Sequence, residues 1–321
     1  MTAAPFPIAV ILAAGRGERM RPLSSVVPKP ALDLPDGPVI SSAMRLAAAA
    51  GVERIVVNTW HLAHRMARAT AEVNLDHVEV VSSEEQQLMG SAGGLALARQ
   101  QGLLGRDGPI LVINGDGVLG LDIQVLATRH LEKGDAVTLA LLPHLDPSRW
   151  SRVILDTDGQ VEAIRPPCRP DAIEAPFLYP GVMVVGREAL DTLPVRPSQV
   201  PELLWGPAQA AGKLGGVVVA GHWREVGTPS DYLEVVTQRL AGNTSIHATA
   251  SVDPSASLAG SFVARHAEIE AGAVVENSVV GEGAVIRRNA RVVRSVLLGD
   301  VEAAPGELIE DEIRACPTTT V

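Results

Sequence analysis

The last third of the chain carries the tightest constraint on its fold. Aliphatic residues fall at Ile246, Val252, Leu258, Val263, Ile269, Val275, Val280, Ile286, Val292 and Leu297. Their spacing runs 6, 6, 5 and then repeats, a period of 17 residues. A helical stripe needs steps of three and four, and these are absent. A triangular parallel β-helix needs a period of this kind. One aliphatic residue of each short strand fills the bore, and a small residue lets the chain turn the corner. Ala250, Ala256, Ala267, Ala273, Ala284 and Ala290 each sit two residues before a bore position, and Ser261, Ser278 and Ser295 recur at the 5-residue step with Thr244 in register. About three coils are expected, then a tail from Glu302 to Val321 placed to cap an exposed strand edge.

Before Ala241-Gly242-Asn243 the texture differs, which suggests domains at 1–242 and 243–321. Apolar runs at Ile8–Leu12, Arg54–Asn58, Val78–Val81, Ile110–Asn114 and Val137–Leu142 read as strands. Ser41–Ala50, Leu62–Ala71 and Ile123–Leu131 read as helices, with Ser41 expected to cap the first. Alternating β and α elements predict an α/β sandwich with a mainly parallel sheet. Ligands of such sheets sit at the carboxyl ends of strands. The loop at Gly15 and the turn Asn114-Gly115-Asp116 both follow strands, so one crevice is expected to take both.

Bulk properties narrow the function classes. The chain has 321 residues, 46% of them hydrophobic and 20% charged, which suits a sizeable core. A net charge of −10 argues against a general nucleic-acid binder, while a local cluster of Arg and Lys still permits an anionic substrate. Cys168 and Cys316 are the only cysteines and form neither a CxxC nor a zinc pattern. No apolar run reaches membrane-spanning length, and no basic region precedes an apolar one at the N-terminus. A cytoplasmic protein without membrane or nucleic-acid partners is expected.

The chemistry concentrates in Leu12-Ala13-Ala14-Gly15-Arg16-Gly17-Glu18-Arg19-Met20-Arg21-Pro22-Leu23, followed by Pro28-Lys29-Pro30. A dinucleotide fingerprint fails because Met20 holds the third glycine position, and a P-loop fails because no Gly-Lys-Ser/Thr follows. A tight structural turn explains Gly15 and Gly17 but not Arg19, Pro22 and the later Pro-Lys-Pro. The string resembles the signature of sugar-1-phosphate nucleotidyltransferases (NDP-sugar pyrophosphorylases), departing only at Ser24 and Ala31. Glycine-loop N–H groups contact phosphates that a side chain would push away. By this resemblance Leu12, Ala13, Ala14, Gly15 and Gly17 bind nucleotide, Arg19 grips the β- and γ-phosphates, and Lys29 neutralises the transferring phosphoryl group and sugar phosphate.

The same resemblance extends along the chain. It implies that Asn114 contacts nucleotide and that Asp116 is one of two protein ligands to Mg²⁺. The family's W-x-D-[IV]-G-T-P reads here Trp223-Arg224-Glu225-Val226-Gly227-Thr228-Pro229, so Glu225 stands where the second ligand is an aspartate, and Thr228 falls to the sugar-phosphate side. Ala163-Ile164-Arg165-Pro166-Pro167 replaces a Glu-Lys-Pro, with Arg165 as substitute cation. Met89-Gly90-Ser91-Ala92-Gly93-Gly94 resembles an L-G-T-A-G element beside the nucleotide, and Glu85 sits where guanylyl-type members place a glutamate. Val57-Asn58-Thr59-Trp60-His61-Leu62 resembles the N-x-H-H-L of mannose-1-phosphate guanylyltransferase-like and N-acetylmuramate-phosphate uridylyltransferase-like members, and Gly181 falls against the sugar.

The resemblance implies a Rossmann-like nucleotidyltransferase domain with a mainly parallel mixed sheet, plus a C-terminal left-handed parallel β-helix of the hexapeptide-repeat kind. It implies an NTP and a sugar 1-phosphate as substrates, NDP-sugar and pyrophosphate as products, Mg²⁺ as cofactor and a homo-oligomer. GTP with mannose 1-phosphate is the first choice, with UTP or another NTP behind it. Two alternatives stand beside it: a non-catalytic regulatory or sugar-nucleotide-sensing paralogue, motivated by Glu225 and the missing Glu-Lys-Pro, and a bifunctional enzyme whose β-helix transfers an acyl group through His247 or His266.

Overall fold

The structure, a computed structural model, describes residues 6–168 and 177–317. Packing groups the chain into two units that cut across the sequence boundary near residue 243. The first comprises Met1–Gly15, Ile40–Ala63 and Val73–Trp223, and the second Arg16–Val39, His64–Glu72 and Arg224–Val321.

The first unit is built on a sheet whose apolar runs do not alternate, because both faces are covered. Ile110–Asn114, Ile8–Leu12, Arg54–Thr59 and Glu79–Glu84 lie side by side in that order, all parallel. Ala9, Val10, Ile11, Leu111 and Ile113 are fully buried. Val182–Val185 runs antiparallel between Ile110–Asn114 and Val137–Pro143, and Leu214–Val218 joins the latter in parallel. The mainly parallel mixed sheet is therefore as expected. An antiparallel extension is additional: Phe177–Leu178, Arg152–Leu155 and Val161–Arg165 continue the sheet beyond Val137–Pro143. These strands are short and interrupted by polar residues, so they leave no clear period-two signal.

Helices Ser41–Ala49, Gly90–Gln100 and Gln124–Lys133 belong to this unit. Ser41 is not the cap of the first. Ile40 holds that position without a side-chain bond, and the Ser41 hydroxyl inside the first turn accepts from Arg45 Nη1 at 3.4 Å. No helix among the described residues is long and apolar enough to cross a membrane.

The second unit contains the left-handed β-helix, three all-parallel sheets of 5, 4 and 4 strands. Each strand pairs with the one a full coil later, as Val263 with Val280 and Ile269 with Ile286. Val263, Val275, Val280, Ile286, Val292 and Leu297 are completely buried in the bore. The recurring serines form a ladder. Ser278 N–H donates to Ser261 Oγ and Ser295 N–H to Ser278 Oγ, each at 3.1 Å, which satisfies buried backbone donors at one corner. The coils also run further than the aliphatic pattern indicated. Glu302–Ala303, Leu308–Glu310 and Ile313–Cys316 are strands of the helix, not a separate tail. Ala303 and Ile309 continue the 6, 6, 5 spacing, but Ala303 is too small to stand out as a bore residue. Residues 318–321 of the expected tail lie outside the described residues.

Helix Pro229–Leu240 starts with a full capping box. Thr228 Oγ1 accepts from Asp231 N–H, and Asp231 Oδ2 accepts from Thr228 N–H at 2.8 Å. Charged contacts knit the β-helix to the earlier segments of its unit. Arg265 Nη2 meets Glu72 at 2.7 Å and Asp33 at 3.4 Å, and Glu282 accepts from Arg65 at 2.9 Å and pairs with Arg68 at 2.7 Å. Burial pushes the Asp33 carboxyl up and Arg265 pulls it partly back, whereas its bonds to Arg265 hold Glu72 down.

Candidate active site

In the first unit the chain order reverses between two adjacent strands. From Ile8–Leu12 the sheet grows one way through Arg54–Thr59 and Glu79–Glu84, and the other way through Ile110–Asn114. Open α/β sheets take ligands in the crevice outside the carboxyl ends at such a switch point. Leu12 lies in register with both Asn114 and Asn58. Gly115 N–H donates to the Leu12 carbonyl at 2.9 Å, so the glycine loop and the Asn114–Asp116 turn do meet.

The start of the loop is tied down from the other flank. Asn58 Oδ1 accepts from Ala13 N–H at 2.6 Å, and Asn58 Nδ2 donates to Glu85 Oε1 at 2.7 Å. Glu85 Oε2 accepts from Met89 N–H at 2.8 Å. Burial pushes the Glu85 carboxyl up, while the Met89 and Asn58 donors draw it back. Gly94 makes room for this chain, since a Cβ there would lie 2.7 Å from Asn58 Nδ2 and 2.9 Å from Glu85 Oε1. Asn58, part of the Val57–Leu62 motif, is thus a functional tie that the motif alone does not single out. The available signal is a polar side chain that directly follows the apolar run Ile55–Val57, since a buried amide there needs a polar partner.

The glycines separate into two kinds. Gly90 has φ +71°, and its Cβ would lie 2.5 Å from the Ser198 carbonyl oxygen, so the fold itself demands glycine. Gly181 has φ +92°, with its Cβ 2.8 Å from that of Asn114, whose N–H donates to the Gly181 carbonyl at 2.7 Å. Gly15 differs: it has no positive φ, and an added Cβ would meet nothing within 4 Å. Among the described residues nothing requires glycine there, and its flank is open. Ala14 is buried beside it, Asp116 is half-buried in its turn, and Arg165 is exposed at the end of the antiparallel extension.

The other predicted residues belong to the second unit. Gly17 has φ +60° and opens a short 3-10 turn that carries Arg19, and its carbonyl accepts from Ser24 Oγ at 2.8 Å. Lys29 follows Pro28 at the start of another such turn and is buried. Arg19 is mostly exposed, and its Nη2 meets Glu225 Oε1 at 2.6 Å, while the Glu225 carboxylate is mostly covered. A Cβ on Gly227 would sit 3.0 Å from the Glu225 carboxylate, so glycine leaves that group its place. Thr228 has a structural task, since its hydroxyl donates to Asp231 Oδ2 at 2.9 Å within the capping box. Among the described residues no group of three or more His, Cys, Asp or Glu is arranged to hold a metal.

The Nucleotidyl transferase family profile matches residues 8–242. Mannose-1-phosphate guanylyltransferase 1 of Arabidopsis thaliana is 25% identical over 304 residues, covering 88% of this chain and 82% of that protein. Probable mannose-1-phosphate guanylyltransferase 2 of Oryza sativa is 24% identical over 329 residues, covering 91% of each. The crystal structure of HddC from Yersinia pseudotuberculosis superposes with a TM-score of 0.62 at 21% identity, over 73% of this chain and all of that one, which supports the fold. The chain belongs to the nucleotidyl transferase family.

Proposed function

We propose that this nucleotidyltransferase moves a guanylyl group from GTP to mannose 1-phosphate, releasing pyrophosphate, with UTP or another NTP as the competing donor. One observation carries the reading: the Leu12–Gly15 loop is anchored at a topological switch point, yet left open beside Gly15. Backbone N–H groups there are available to phosphate without a side chain in the way. The names of the curated relatives favour guanine and mannose, and buried Glu85 is the residue proposed to face the base or ribose.

The sugar phosphate is already anionic, so attack on the α-phosphorus needs no general base. What remains is positioning and charge neutralisation. Arg19 is proposed to exchange the Glu225 carboxylate for the β- and γ-phosphates, and Lys29 to neutralise the transferring group. Arg165 and Gly181 are proposed on the sugar-phosphate side, where Thr228 acts by holding the Glu225–Gly227 turn. Asp116 and Glu225 offer hard carboxylate oxygens of the kind Mg²⁺ prefers, and would be its ligands by their motif positions, with phosphate and water supplying the rest. Bound Mg²⁺ supplies charge neutralisation on the triphosphate. A cytoplasmic location and a homo-oligomer complete the proposal. An acyl-transfer role for the β-helix finds little support: its coils continue without an inserted loop, and His247 Nδ1 accepts from Thr249 N–H in its own turn.

A thermal-shift panel with GTP, UTP, dTTP, CTP and ATP tests the nucleotide choice. At a hundredfold excess over Kd, binding adds about 2.7 kcal/mol, so GTP is expected to raise the midpoint by several degrees and the others by less. Gly15→Ala is expected to keep the ligand-free midpoint and lose the GTP shift. A larger shift with UTP would overturn the guanine assignment, and an unchanged GTP shift in Gly15→Ala would overturn the role of the loop.

A further inference from the structure

Phe262 and Leu298 sit on short strands next to the bore residues Val263 and Leu297, so their side chains point out of the β-helix. Both are nevertheless buried. The stretch around Lys29 lies against them: Val27, Leu32 and Asp33 line one cavity with Phe262, Leu298 and Tyr232. All of these residues belong to the second unit. One side of the β-helix is thus the floor on which the Lys29 segment rests.

Asp33 is gripped at both ends. Its carbonyl oxygen accepts from Tyr232 Oη at 2.6 Å, and its Oδ1 accepts from Arg265 Nη2 at 3.4 Å. Asp33 comes directly after the Lys29 turn, which Leu32 closes by donating its N–H to the Lys29 carbonyl at 3.2 Å. On the other side the turn meets Gly17, where a Cβ would lie 3.5 Å from that of Lys29. Lys29 is wedged between Gly17 and the anchored Asp33.

Arg265 is itself fixed by the coil. It lies one residue before His266, which turns a corner at φ 56°. Glu282 occupies the same corner one 17-residue period later. This corner faces Arg65, Arg68 and Glu72, on and just past helix Ala63–Ala71. Each guanidinium there meets a carboxylate, so the cluster is a joint rather than a site for an outside anion. The Arg265 fork spans two carboxylates, since the Nη2 that reaches Asp33 also meets Glu72 at 2.7 Å. Without Arg265 the Asp33 carboxylate, three-quarters covered, would lose its compensating charge. A covered carboxylate in that state protonates or shifts toward water.

We infer that Arg265 is a positioning residue: through Asp33 it holds the Lys29 ammonium in place for the transferring phosphoryl group. The β-helix then serves the reaction as a brace beneath its cation. This role rests on the one proposed for Lys29.

Pyrophosphate release by the full chain, with Mg²⁺, mannose 1-phosphate and the fastest of the five NTPs, tests it. Arg265→Gln is expected to lower kcat about tenfold with both KM values within about twofold, a smaller copy of the Lys29→Met loss. Asp33→Asn keeps the shape of the carboxylate, is expected to do likewise, and carries the test if the Arg265 variant folds poorly. Glu72→Gln is expected to lower the thermal midpoint and leave kcat unchanged, because it loosens the joint but frees Arg265 for Asp33. In a Lys29→Met background neither Arg265→Gln nor Asp33→Asn is expected to cost further turnover, a coupling that a merely structural role would not produce. A wild type without pyrophosphate release, or near-wild-type turnover in Lys29→Met, would overturn the role of Lys29 and this one with it. A Lys29→Met loss with full turnover in Arg265→Gln and Asp33→Asn would overturn the positioning role alone. So would an equal loss in both backgrounds, or a loss of kcat in Glu72→Gln as large as in Arg265→Gln.

Discussion

Lys29→Ala is expected to lower kcat about a thousandfold, close to 4 kcal/mol of transition-state stabilisation. KM for the sugar phosphate is expected to change much less, because the charge acts where the phosphoryl group transfers. Lys29 is buried, so its removal also takes packing from its turn. Lys29→Met separates the two effects: it keeps most of the volume and loses only the charge. Both variants are expected to show the same loss of turnover, with Lys29→Met nearer wild-type stability. Lys29→Arg is not expected to rescue, since a planar fork cannot take the place of a compact ammonium between two prolines. Near-wild-type turnover in Lys29→Met would remove the residue from the machinery.

Asp116→Asn is expected to cut turnover at least a hundredfold and to raise the Mg²⁺ concentration for half-maximal rate at least tenfold. The amide keeps the shape of the carboxylate and removes its charge, so the ligand-free thermal midpoint is expected to hold. Glu225→Gln differs in kind. It weakens a proposed ligand and at the same time releases Arg19, which Glu225 holds at 2.6 Å. Its apparent affinity for NTP is therefore expected to fall less than its turnover. If Asp116→Asn keeps both its rate and its Mg²⁺ dependence, the ligand assignment fails.

Much of this architecture was legible because it is periodic or apolar. The strands Ile8–Leu12 and Ile110–Asn114 stand as read, since a fully covered parallel strand is an unbroken apolar run. The 6, 6, 5 spacing revealed the β-helix, since each bore position accepts one aliphatic residue per side. It faded where small Ala303 and charged Arg314 took bore positions. The short antiparallel strands around Val161–Arg165 left no period to read. Within the site, linear motifs pointed to residues but not to their ties. Asn58 joins Ala13 to Glu85 across three strand ends, a contact set by sheet order. The pairing of Arg19 with Glu225 spans 206 positions in sequence, so neither motif alone could foretell it.

Guanylyl transfer to a sugar 1-phosphate is tested most directly by pyrophosphate release. Purified protein with Mg²⁺ is given each of the five NTPs with and without mannose 1-phosphate, and pyrophosphate and nucleotide sugar are followed together. The predicted result is release that requires both substrates, is fastest with GTP, and matches GDP-mannose formation one to one. Tight GTP binding without pyrophosphate release, with every sugar phosphate offered, would contradict it and leave a nucleotide-sensing paralogue in its place.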